Sequence, residues 1–86
     1  MSRHDTDELK ESEKSAPVER RIFGNNFRKA RLAKKLTQRD VYAATGISQA
    51  FISNVENGVT AINLDNMAEL ARCVDVPLWQ LLVPSP

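Results

Sequence analysis

The sequence predicts an all-α domain of five helices that follows a polar N-terminal extension. Between residues 17 and 83, apolar side chains recur at spacings of three and four residues, the period of a helix with one buried face. Residues suited to helix N-caps and tight turns divide that pattern into segments, and no segment carries a strand signal. We therefore assign the extension to residues 1–16 and the helical domain to residues 17–86.

The extension is polar and acidic, with Leu9 as a large apolar side chain. Asp5 and Glu8 have the spacing of a capping box, which favours a short helix over residues 6–14. Such a short helix is marginal in water, so a frayed tail is an equal alternative.

The first helix of the domain is predicted over residues 17–34, because Pro17 suits the first turn of a helix. Its inward stripe consists of Ile22, Phe23, Phe27 and Ala30. Two short helices follow over residues 38–45 and 49–57, with Thr37 and Ser48 as their N-caps and Asp40 near the start of the first. Gly46 permits the positive φ of a sharp turn between them. Four residues of this pair are expected to face the core: Val41, Ala44, Ile52 and Val55.

The fourth helix is predicted over residues 64–74, beginning near Asn63, and the fifth over residues 78–83, between Pro77 and Pro84. The fourth is expected to bury Leu64, Met67, Ala68, Ala71 and Val74. The last helix can close the core with Leu78, Leu81 and Leu82.

The outward face of the third helix carries small, uncharged and amide side chains: Gln49, Ala50, Ser53 and Asn54. Amides at helical spacing can pair with adenine edges in a DNA major groove. The charge distribution agrees with a polyanionic partner. The chain's net charge of +1 divides into −2 for residues 1–16, +6 for residues 17–40 and −3 for residues 41–86. Attraction to phosphate depends on that local concentration of basic residues.

Four short motifs carry a family resemblance: Leu36-Thr37-Gln38, Gly46-Ile47-Ser48-Gln49, Ile52-Ser53 and Val55-Glu56-Asn57-Gly58. In this spacing they resemble the helix-turn-helix of the phage-repressor and Xre-like regulators, over about residues 20–83. Small repressors of phages and plasmids are the most similar members. The resemblance implies a five-helix, lambda-repressor-like domain that binds double-stranded DNA sequence-specifically. It also implies a transcriptional regulator, most often a repressor that binds a palindromic operator as a homodimer.

The resemblance also assigns site residues. Base contacts fall to Gln49, Ala50 and Asn54, with Ser48 and Ser53 beside them. Phosphate contacts fall to Gln38, Arg39, Lys35, Asn57, Thr60 and Asn63, and Lys34 is expected to add longer-range attraction. Arg31 and Glu56 match an internal ion pair that joins the first and third helices. The alternative for Arg31 is a phosphate contact.

Four positions depart from the family pattern. Tyr42 replaces a small residue and Thr45 an apolar one, while Lys35 and Asp75 stand where a helix-ending glycine is common. We expect the Tyr42 ring to swing to the rim or the helix pair to open, and Thr45 to weaken a core contact.

The C-terminal segment is rich in large apolar side chains, and we expect a dimer interface that includes Trp79, Leu82 and Val83. Packing of Trp79 against the N-terminal extension is the alternative.

Other classes of function are poorly supported. His4 and Cys73 have no partners that would make a metal site or a catalytic cluster, so we expect no enzyme, metal or cofactor. No apolar run reaches the ~20 residues of a membrane span, and we expect a cytoplasmic protein without a small-molecule effector. An antitoxin-like or protein-interaction module that keeps the helix-turn-helix fold is the alternative to a DNA-binding regulator.

Overall fold

The computed structural model describes residues 16–85, and within them the chain is entirely helical with no strand. Five helices follow in order: α1 Val18–Ala33, α2 Gln38–Thr45, α3 Gln49–Glu56, α4 Leu64–Cys73 and α5 Leu78–Leu81. The all-α, five-helix prediction is thus confirmed, and each helix lies within one or two residues of its predicted bounds. The short helix considered for residues 6–14 lies outside the described residues.

Local side-chain bonds explain why three of these helices begin where they do. Thr37 forms a capping box with Asp40: the Thr37 Oγ1 accepts from the Asp40 N–H at 3.0 Å, and the Thr37 N–H donates to Asp40 Oδ2 at 2.8 Å. That backbone hydrogen bond lowers the pKa of Asp40 below its usual value. Ser48 caps α3 through the Phe51 N–H, and Asn63 caps α4 through the Asn66 N–H. These bonds satisfy N–H groups that have no partner inside the helix.

The turns use left-handed backbone at four positions. Gly46 and Gly58 have φ of 79° and 74°, while Lys35 and Asp75 adopt the same region at 59° and 58° despite their side chains. Thr45 does not simply weaken a core contact. Its hydroxyl donates to Val41 O at 2.8 Å and accepts from the Ile47 N–H at 3.1 Å, so it stabilises the turn between α2 and α3.

One core joins all five helices, because α1 packs on α3 and α5, α2 packs on α3 and α4, and α4 packs on α5. Its buried apolar members are Phe23, Phe27, Val41, Ile52, Val55, Leu70, Ala71, Val74 and Leu81. Three expectations about the core were wrong. Leu64 is 65% exposed because neighbouring helices cover the α4 stripe only from Met67 onward. Ala44 is exposed, and Ile47 beyond the turn packs against the core instead. Leu82 is 40% exposed, because α5 ends at Leu81, one residue before it.

The C-terminal segment is held to α1 by a polar clasp around Asn26. Its amide nitrogen donates to Leu81 O at 2.9 Å and to Val83 O at 2.8 Å. Its amide oxygen accepts from the Ser85 hydroxyl at 2.7 Å. Both amide protons and one oxygen lone pair of Asn26 therefore fix the chain after α5 against the first helix.

Candidate nucleic-acid interface

Helix α3 presents the polar face that the sequence predicts. Gln49, Ala50 and Asn54 are exposed and Ser53 is half-buried, while Ile52 and Val55 on the opposite side lie in the core. The side-chain amides of Gln49 and Asn54 form no hydrogen bond with any residue from 16 to 85. Ser48 differs, because its hydroxyl oxygen already accepts the capping bond. This face thus offers two side-chain amides that are unpaired within residues 16–85.

The start of α2 lies next to α3 through Gln38. Its side chain is half-buried, and its amide nitrogen donates to Glu56 Oε1 at 3.1 Å. One amide proton is therefore engaged within the domain, which fixes the direction of the side chain and leaves the second proton available. Arg39 and Lys35 are exposed beside it. The N-terminus of α2 combines free backbone N–H groups with these charges, a combination suited to a phosphate.

The loop after α3 contains the other predicted phosphate contacts. Asn57 is exposed at the C-terminus of α3. The Thr60 hydroxyl donates to Ala61 O at 3.2 Å, and the Asn63 side-chain oxygen caps α4. For Asn63, the amide nitrogen is therefore the group left to meet an anion.

Arg31 and Glu56 form a bidentate ion pair between α1 and α3. Arg31 Nε lies 2.6 Å from Glu56 Oε2, and Arg31 Nη2 lies 2.9 Å from Glu56 Oε1. The guanidinium also donates from Nη1 to Leu36 O at 2.8 Å. The two side chains are only 9% and 3% exposed, and the hydrogen bond to Glu56 raises the pKa of Arg31. All three guanidinium nitrogens of Arg31 are thus engaged inside the domain, two by Glu56 and one by Leu36 O.

Two glycines, Gly24 and Gly58, bring α1 and the end of α3 into close contact. Gly58 belongs to a family motif, but neither close contact was predicted. A Cβ on Gly24 would lie 2.0 Å from Val55 O, so only a residue without a side chain lets the two helices approach this closely. A Cβ on Gly58 would lie 2.9 Å from Cγ of Arg21. The signal for Gly24 was its position inside a predicted helix, where glycine is unfavourable unless packing requires it.

The basic residues divide by whether an acidic side chain neutralises them. Lys34 pairs with Asp75 across the C-terminal ends of α1 and α4, and Arg72 pairs with Glu69. The negative charge of Asp75 therefore largely cancels the long-range attraction of phosphate that was expected from Lys34. Within residues 16–85, no acidic side chain forms an ion pair with five exposed basic residues: Arg21, Arg28, Lys29, Lys35 and Arg39.

Tyr42, one of the departures from the family pattern, is exposed, so its ring lies at the rim of the α2–α3 pair.

A separate apolar surface lies at the C-terminus. Trp79 is 67% exposed, and Leu82 and Val83 are exposed beside it. Leu82 also lines an open pocket of about 250 Å³ between the start of α1 and the loop before α4, together with Phe23, Ile62 and Met67. In residues 16–85 no helix is long and apolar enough to cross a membrane, and no cluster of His, Cys, Asp or Glu suits a metal ion.

Comparison with known proteins identifies the family. The helix-turn-helix family matches residues 27–78. The uncharacterized HTH-type transcriptional regulator y4dJ of Sinorhizobium fredii is 35% identical over 66 residues, which cover 77% of this chain and 86% of that protein.

Two solved structures are also similar. The hypothetical transcription factor NHTF from Neisseria has a TM-score of 0.72 and 29% identity, over 77% of this chain and 76% of that one. The restriction-modification controller protein C.AhdI from Aeromonas hydrophila has a TM-score of 0.71 and 28% identity, over 76% and 98% of the two chains. These matches confirm the resemblance found in the sequence, and the chain belongs to the Xre-like helix-turn-helix family of DNA-binding transcriptional regulators.

Proposed function

We propose that this regulator is a repressor that binds a palindromic operator as a homodimer, with α3 in the major groove. The observation that carries the proposal is the exposed face of α3, where the amides of Gln49 and Asn54 have no partner within residues 16–85. Each amide can pair bidentately with an adenine, and the Ala50 methyl can contact a thymine methyl. Ser48 and Ser53 lie beside these contacts.

The phosphate contacts form two groups on either side of α3. Lys35, Gln38 and Arg39 lie before or at the start of α2, and Asn57, Thr60 and Asn63 lie after α3. Contacts of this kind hold a helix in register on the duplex without recognising sequence. Occupancy of the operator would then block transcription by exclusion, with the concentration of the protein as the regulated variable.

A homodimer follows from the small size of the recognition surface. One helix contacts only a few base pairs, which gives little discrimination, whereas two copies related by a two-fold axis recognise half-sites about 34 Å apart. The exposed apolar surface of Trp79, Leu82 and Val83 supports an interface in the C-terminal segment.

Selection of bound fragments from random duplex DNA, followed by sequencing, tests the proposal. We expect an enriched palindrome. Gln49→Ala and Asn54→Ala should each weaken binding to it by about 1–3 kcal/mol and relax the preference at defined base pairs. Gln80→Ala is the control for base preference, which it should leave unchanged, because Gln80 is an exposed amide on α5, outside the proposed DNA surface.

Two results would overturn this function. An enriched site without two-fold symmetry would contradict binding as a symmetric dimer. Unchanged base preference in both the Gln49 and Asn54 variants would contradict the base contacts. If the protein is a repressor, expression of a reporter gene placed downstream of the selected site should fall when the protein is supplied. A rise in expression would contradict a repressor.

A further inference from the structure

We propose that Arg21 and Arg28 on α1 form a second phosphate-binding surface, which extends the DNA contact beyond the loop that follows α3. The inference rests on the proposed binding of DNA by α3 and adds residues that the family motifs do not assign. Its partner is the sugar–phosphate backbone at the outer edge of each half-site.

Helix α1 lies beside the C-terminal end of α3, close to the predicted phosphate contacts. Gly24 packs directly on the backbone of Val55, and Arg31 pairs with Glu56. Gly58, immediately after the predicted phosphate contact Asn57, lies against the backbone and the Cβ and Cγ of Arg21. The first turns of α1 therefore adjoin the end of α3 and its following loop.

Helical geometry places Arg28 on the same side as Arg21. Seven residues correspond to about two turns, so the two side chains project from nearly the same flank of α1. That flank borders the stripe of Gly24 and Arg31 that meets α3, and it faces away from the core side occupied by Phe23 and Phe27. On α3, Glu56 faces α1. Ser53 and Asn57 lie next to Glu56, on the side of α3 that faces away from the core. The two arginines and the α3 surface therefore lie on one side of the helix pair.

Both arginines carry a positive charge that is available to a phosphate. Arg21 and Arg28 are exposed, and neither forms an ion pair with an acidic residue in the described part of the chain. Arg21 Nη1 donates to Ala16 O at 2.9 Å, which leaves its other guanidinium N–H groups available. A planar guanidinium with several donors matches the oxygens of a phosphate.

Lys29 provides a matched control within the same helix. It is exposed and carries the same charge as Arg28, and it has no acidic partner in residues 16–85. One residue further along the helix is a rotation of about 100°, which turns Lys29 away from α3. Lys29→Gln and Arg28→Gln therefore remove equal charge from adjacent positions that face different directions.

The test measures affinity for the selected operator between about 50 and 200 mM salt. Arg28→Gln and Arg21→Gln should each weaken binding roughly tenfold at low salt. Each should also reduce the slope of log affinity against log salt by about 1.8, because a dimer loses one phosphate contact in each half-site. Lys29→Gln should change affinity less than about twofold, because an exposed charge without contact acts through screened attraction. Thermal melting of each variant, without DNA, should match that of the unsubstituted chain.

Two results would overturn the inference. Equal losses for Arg28→Gln and Lys29→Gln would show that net charge matters and position does not. Unchanged affinity and slope in both arginine variants would show that α1 does not contact phosphate. Gln49→Ala is measured on the same operator, and a loss there while the arginine variants bind normally contradicts this inference without contradicting the proposed function. Ethylation interference locates the contacts, with the arginine variants losing the outermost phosphates of each half-site.

Discussion

Arg31, although it lies near the proposed DNA surface, forms its hydrogen bonds inside the domain, chiefly with Glu56. The guanidinium bonds both carboxylate oxygens and a backbone carbonyl, and Gln38 donates to the same carboxylate. A buried pair of this kind is costly to desolvate, so its net contribution to stability is modest. Removal of one partner is a different matter, because the remaining charge is then buried without compensation.

A double-mutant cycle on the free energy of unfolding, measured in urea without DNA, tests the structural role. Arg31→Met and Glu56→Gln should each destabilise the domain, by up to about 3 kcal/mol for the arginine, because each strands a buried partner. We expect favourable coupling of roughly 1 kcal/mol or more. The exposed Glu69–Arg72 pair on α4 is the control and should show about 0.5 kcal/mol or less.

Coupling near zero, with both single variants as stable as the original chain, would contradict this role. Arg31 would then join the residues proposed to contact phosphate, the alternative that the sequence left open.

At the scale of helices, the contact between α1 and α3 determines where the proposed recognition surface lies. Gly24 has no Cβ and therefore allows the backbone of α3 at Val55 to approach α1. The ion pair of Arg31 and Glu56 fixes the same helices about two turns away. The α2–α3 turn depends on a different property of glycine, since Gly46 has φ of 79° and open space around it.

Gly24→Ala and Gly46→Ala separate these two roles. In an open helix interior, Gly→Ala stabilises by about 1 kcal/mol. At Gly24 the added methyl meets a backbone oxygen that cannot move independently, so we expect a net loss of about 2 kcal/mol or more. At Gly46 the cost is left-handed backbone strain of about 1–2 kcal/mol. Chemical unfolding measures both, and a Gly24→Ala variant as stable as the original chain would contradict the close packing of α1 on α3.

Across the domain formed by residues 16–85, the polar and apolar surfaces are separated. The amide-bearing face of α3 is distinct from the exposed apolar segment after α4, which the Asn26 clasp holds against α1. A large aromatic side chain held on a fixed backbone is a typical anchor of a protein interface.

The proposed dimer is tested by sedimentation equilibrium at micromolar concentration. Trp79→Ala should raise the dimer dissociation constant at least about tenfold, because a central aromatic anchor contributes most of an interface's energy. Leu32→Ala removes a comparably exposed apolar side chain from α1, and it should leave the dissociation constant unchanged. A monomer at all concentrations, or equal effects of the two substitutions, would contradict this interface.

Residues close together in the chain were enough to predict the five helices, the caps at Thr37 and Ser48, and the family. These features depend on residues close together in the chain: a cap joins positions three apart, and an amphipathic stripe repeats every three or four residues. The outward direction of Gln49 and Asn54 was predictable for the same reason, because Ile52 and Val55 fix the buried side of α3.

Which charges and apolar groups remain exposed depends on contacts between residues far apart in the chain. Lys34 is neutralised by Asp75, and Asn26 bonds Leu81 and Val83, although these partners are 41 to 57 residues apart in the chain. Leu64 continues an apolar stripe that the neighbouring helices do not reach. A local pattern gives the face on which a side chain lies. Whether that face is covered, paired or left for a partner depends on how distant helices pack.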